Sequence, residues 1–90
     1  MTVAGNTSPT LTFPAGGLTT VTNSLQLAGR SSSFKLKLRS SAPGTRWQLS
    51  PPDGTTLGGS LDVQDGDSAS SIHSGVSSTD SGNNVNWLFP

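Results

Sequence analysis

The chain has no cysteine, no glutamate and no tyrosine, a single histidine, and little charge of either sign. Each absence removes a chemistry. Without cysteine there is no disulfide framework, no thiolate nucleophile and no Cys-ligated zinc. With His73 alone, any histidine-based triad or metal centre must pass through that residue, and a two-histidine zinc motif is impossible. With no glutamate, an EF-hand loop lacks its bidentate ligand. Five cations balance five anions and charged residues make up 11% of the chain, so no bulk field draws it to nucleic acid or to a membrane surface. Nowhere do about 18 apolar residues follow one another, and the start of the chain lacks the basic segment and apolar run of a secretory signal. The sequence therefore leads us to expect neither a signal peptide nor a transmembrane segment.

What is present is small, polar and suited to strands and turns. Serine and threonine make up about three residues in ten, beside 11 glycines and 6 prolines. Ninety residues with 30% hydrophobic side chains make one domain with a thin core, since a chain of this size buries only about 60% of the surface its unfolded form exposes. Residues 1–9 read as a flexible N-terminal arm and residues 10–90 as a single all-β domain. Asn6, Thr7 and Ser8 fit a glycosylation sequon, which without an export signal is accidental.

The plainest pattern is Phe34 to Arg39, where apolar and basic residues alternate. Period two puts Phe34, Leu36 and Leu38 on one face and Lys35, Lys37 and Arg39 on the other. Thr10 to Phe13, Leu18 to Leu27, Trp47 to Leu49, Leu57 to Val63, Ile72 to Val76 and Val85 to Phe89 supply further strand candidates, about seven in all. Turn signals separate them: Pro14 with Gly16 and Gly17, Ala42 to Thr45, Pro51 to Gly54, and the polar runs 64–69 and 77–84. Folding consecutive strands back on one another sets Leu38 opposite Leu49, Leu61 opposite Ile72 and Val76 opposite Val85, with apolar parity preserved. The expected architecture is a small antiparallel β-sandwich, immunoglobulin-like or related, with a jelly roll or small barrel as alternatives.

Four groups of residues invite a functional reading. Asp62, Asp65 and Asp67 around Gly66 form the acidic cluster, a candidate calcium loop against the plainer reading of a solvated turn. Lys35, Lys37 and Arg39, with Arg30 and Arg46 nearby, form a basic stripe. No aromatic residue is interleaved for base stacking, so the stripe reads as a guard on a sheet surface or a contact for a protein partner. Trp47 and Trp87 fall in phase with apolar neighbours and read as core rather than as a sugar platform. Leu88, between Trp87 and Phe89, should face outward and mark an interface.

These residues imply no enzyme, no cofactor, no nucleic-acid partner and no membrane partner. The expectation is a structural or interaction module that docks on a larger protein assembly or on itself as a homo-oligomer. Composition suggests, by analogy, a capsid-decorating or tail-associated component of a bacterial virion, found in the virion or outside the cell after lysis. A carbohydrate-binding domain of a surface or secreted protein is the alternative, and it needs an exposed tryptophan.

Overall fold

The computed structural model describes residues 8–89. Eight strands follow in chain order: β1 Thr10–Phe13, β2 Leu18–Thr20, β3 Leu36–Ser40, β4 Trp47–Ser50, β5 Leu61–Val63, β6 Gly66–His73, β7 Thr79–Asp80 and β8 Val85–Leu88. Among the described residues there is no helix, in keeping with a sequence poor in helix formers.

The strands alternate between two sheets, one ordered β1-β3-β5-β7 and the other β2-β4-β6-β8. Every neighbouring pair is parallel. The chain therefore winds as a solenoid of four coils, each giving one strand to either sheet. In the first sheet Thr10 lies on Lys37, Leu36 on Leu61 and Asp62 on Thr79, steps of 27, 25 and 17 residues. A third side closes the coil without regular strands. It is tied by bonds such as Gly58 N–H to the Leu27 carbonyl (3.0 Å) and Ser60 N–H to the Val76 carbonyl (2.9 Å).

This overturns the expected antiparallel, immunoglobulin-like sandwich, and with it the jelly roll and antiparallel barrel. The all-β class and the inward parity of β3 to β6 stand; the partners do not. Pro43 and Gly44 do not fold β4 back on β3. They form a corner that sends the chain to the other sheet, and Gln64–Asp65 does the same between β5 and β6. A hairpin and a solenoid corner both need a positive-φ residue between two alternating segments, so the local signals are the same. Three segments also differ in detail. Phe34 sits in a tight turn with Ser31 rather than in β3, the strand after Gly17 stops at Thr20, and Val76 is 71% exposed rather than packed on Val85.

The core lies between the sheets. Leu36, Leu38, Leu61 and Val63 come from the first sheet, Trp47, Leu49, Ile72 and Trp87 from the second, and Leu27 and Leu57 from the third side. Each fully buried aliphatic side chain contributes roughly 1.5–3 kcal/mol. An aromatic column runs along the interior: Phe13 stacks on Trp47 at 4.0 Å between centroids, Trp47 meets Trp87 edge-on at 5.8 Å, and Phe89 follows at 6.5 Å. The column links β1 to β8, so first and last coils share one core.

Two corners hold the coils in register. Between the sheets, the Asp65 carboxylate accepts from Gly44 N–H (2.9 Å) and from Asn83 Nδ2 (2.7 Å), tying the second, third and fourth coils together. Asn84 extends the same tie, accepting from Gly66 N–H (2.8 Å) and donating to the Val63 carbonyl (2.8 Å). On the third side the coils meet through glycine instead. At Gly59, φ is +93° and a side chain would lie 2.4 Å from the Val76 carbonyl oxygen; at Gly75 it would lie 2.5 Å from the Gly59 nitrogen. Only glycine fits such an approach.

Candidate functional site

The outer face of the first sheet carries the basic stripe. Because side chains alternate along a strand, Lys37 and Arg39 point away from the core that Leu36 and Leu38 enter. The parallel register then places Lys37 beside Asp62, and the cations are largely engaged within the sheet. Arg39 Nη2 lies 3.1 Å from Asp62 Oδ2, and its Nη1 donates to the Asp62 carbonyl at 2.6 Å. Lys35 Nζ donates to Thr79 Oγ1 at 2.5 Å, and Arg46 Nε to the Asn83 carbonyl at 3.0 Å. The stripe thus stitches coils to one another rather than standing as a free array of charge.

The three aspartates do not converge. Asp62 faces Arg39 and also accepts from the Ser81 hydroxyl. Burial pushes its carboxyl up, but the Ser81 and Arg39 hydrogen bonds and the Arg39 charge outweigh this and hold it below the usual range. Asp65 is buried in the corner, and its bonds to Gly44 N–H and Asn83 likewise hold its carboxyl down. Asp67 lies on the outer face of β6, in register with Gln48 and Val85. Among the described residues no three His, Cys, Asp or Glu side chains gather in a way that would hold a metal ion. The Asp65 oxygens already serve as corner acceptors.

Leu88 and His73 come together, as the expected Val76–Val85 register also sets them, but through parallel rather than antiparallel pairing and with Thr56 on the far side. Parallel pairing stacks Thr56 on His73 and His73 on Leu88. These three, with Gly75, Val76 and Phe89, line a groove of about 450 Å³ on the outside of the last coils. Leu88 is 43% exposed and Val76 71%. The His73 imidazole is exposed and takes part in no hydrogen bond among the described residues, so no base and nucleophile pair forms around it. A smaller hollow of about 240 Å³ lies on the second sheet between Leu18, Gln48, Leu49, Asp67 and Ala69, and Leu18 is 61% exposed. Val76 escapes the sequence reading because alternation sets it against Val85, and Leu18 because nothing marks it beyond its place at the start of a strand candidate.

Trp47 is fully buried and Trp87 nearly so, so neither offers the exposed indole that a sugar platform requires. Trp47 Nε1 donates to the Gln64 carbonyl at 3.0 Å, whereas Trp87 Nε1 has no partner among the described residues.

The ends of the solenoid complete the inventory. β1 and β7 are the outer strands of one sheet, β2 and β8 of the other. Among the described residues each therefore presents one row of backbone N–H and C=O groups without a strand beside it. No protein-family model, no curated protein and no solved structure matches this chain. A virion or capsid role finds no support in the parallel coils or in these comparisons, and it is withdrawn together with the sandwich architecture. No helix among the described residues is long and apolar enough to cross a membrane.

Proposed function

We propose that this chain is a non-enzymatic structural and interaction module that joins a larger protein assembly through the open ends of its solenoid. One observation carries the reading: among the described residues both end coils leave strand edges unpaired, with large apolar side chains exposed beside them. Leu18 stands at β2, and Leu88 and Val76 stand at the last coils. Proteins that keep such edges solitary usually blunt them with lysine, an inward charge or a covering loop. Here the first coil, residues 8–29, contains no charged residue at all, and the last coil has one such guard, Asp80 at the inward position of β7. An edge of this kind gains stability when a partner covers it, by mass action on the folded state.

The mass of the native particle that contains the chain tests this reading. We expect the tagged chain, drawn gently from its source and weighed by native mass spectrometry, in a complex much heavier than the chain itself. A free single chain throughout would overturn the proposal.

A further inference from the structure

We infer that the partner at these ends is a second copy of the chain, stacked head to tail so that β7 and β8 of one copy pair with β1 and β2 of the next. This rests on the reading just proposed and names its partner.

The first argument is the match between the two ends. The corner joining β1 to β2 is residues 14–17 and the corner joining β7 to β8 is residues 81–84. Both are four residues long, and both put a left-handed residue third, Gly16 at φ 70° and Asn83 at φ 59°, although the second corner has a further positive-φ residue before it, Gly82 at φ 106°. The internal corners, 41–46 and 64–65, differ from these in length. Laying Gly16 of the next copy on Asn83 sets Leu18 on Val85, outward on outward; past that pair Asn86, at φ 62°, turns β8 so that Trp87 faces the core, and the shared outward register ends at Leu18–Val85. The outward column Leu18, Gln48, Asp67, Val85 then repeats across the joint with its two apolar members in contact. Leu18 gains cover, and Val21 and Leu25, half-buried at the first coil, come to the end that carries Phe89.

The second argument is area. Four strands at about 4.8 Å spacing span about 14 Å, so the ends are the broad faces of a molecule 30 × 27 × 20 Å in extent. Taking that face as an ellipse 30 by 27 Å across, each end covers roughly 600 Å², and a joint buries about 1,200 Å² in total, the lower margin of specific interfaces.

The third argument is charge. Nothing in residues 8–29 repels a neighbour, and the single charge on the last coil is Asp80. Asp80 is in register with Val63, which faces inward, so it occupies the inward position where the column Leu11, Leu38, Val63 ends. In the stack it meets Phe13 of the next copy, each lying three residues before the left-handed corner residue. Bringing a carboxylate against an apolar ring costs desolvation, so Asp80 makes the joint reversible. The contact is heterologous and does not close on itself, so growth is linear.

Sedimentation of the purified full chain from micromolar to millimolar concentration tests this. The expected result is a mass that rises past the dimer without saturating. Asp80→Asn, which keeps an amide oxygen to accept from Gly82 N–H and Asn84 Nδ2, should strengthen association about tenfold or more. Leu18→Lys and Thr20→Lys, both at exposed positions, should weaken it by a similar factor with unchanged circular dichroism. A monomer at every concentration, saturation at a dimer, or indifference to these variants would overturn the inference. A chain monomeric alone yet found in a heavier mixed complex in its source sinks only the second-copy partner. A chain monomeric in both settings sinks the interaction reading as well.

Discussion

At the corner between the sheets, Asp65 and Asn83 bridge three coils with side-chain hydrogen bonds. On the third side Gly59 and Gly75 bring the coils together by having no side chain at all. Both corners solve the problem of turning a chain while keeping the next coil about 4.8 Å away. The first does so with directional polar contacts that titrate and tolerate some change; the second does so with contact distances that tolerate none. A solenoid this small uses both, because its thin core leaves register to be fixed at the rim.

The sharpest way to break the comparison is an alanine at each corner. Gly59→Ala forces a methyl group to 2.4 Å from the Val76 carbonyl oxygen at φ +93°, and strain plus overlap should cost roughly 3–5 kcal/mol in urea unfolding. Gly16→Ala, at φ +70° with open space around it, should cost only about 1–2 kcal/mol. Equal costs would show that close approach is not what the third side depends on. Between these extremes, Leu61→Ala removes a fully buried side chain shared by both corners and should cost about 2–4 kcal/mol.

Asp65→Ala should cost about 2 kcal/mol, since it unpairs Gly44 N–H, leaves Asn83 Nδ2 only its 3.4 Å bond to the Gly44 carbonyl and puts alanine at φ 60°. Asp65→Asn should cost less. The same corner predicts the response to acid. Because the Asp62 and Asp65 carboxyls are held down in the fold, the unfolded chain takes up protons first as pH falls. Their contribution is complete above about pH 5 and is lost as pH drops below about 4 towards the folded values. Thermal unfolding across pH 2 to 7 checks this, and a shallower acid limb in Asp65→Asn sharpens it. The smallest effect belongs to the Arg39–Asp62 pair, about a quarter and a fifth exposed. A double-mutant cycle there should give below about 1 kcal/mol.

Local readings from the sequence held where they depended on side-chain alternation. Leu36 and Leu38 inside with Lys37 and Arg39 outside, Trp47 and Leu49 inside with Gln48 outside, and Leu88 on the surface all follow from period two. The partners of those strands were not legible. Leu38 lies beside Leu11 and Val63, neither of which the Pro43–Gly44 turn points to. Successive steps of 27, 25 and 17 residues hide the repeat that an even solenoid would display. The extra residues of β6 against β8 hide it further, as Asp67 to Ile72 takes five steps where Val85 to Trp87 takes two. The groove around Leu88 was only half legible: the expected register already set His73 against Leu88, but Thr56 joins them only through parallel pairing.

By itself the sequence determined the state of each segment and the face it buries, because alternation, turn chemistry and the dearth of helix formers act over a few residues. Whether a turn closes a hairpin or rounds a corner was decided only by tertiary structure. That choice depends on which distant backbone offers the matching row of hydrogen bonds, and on whether Gly59 and Gly75 let the coils approach closely enough to make them.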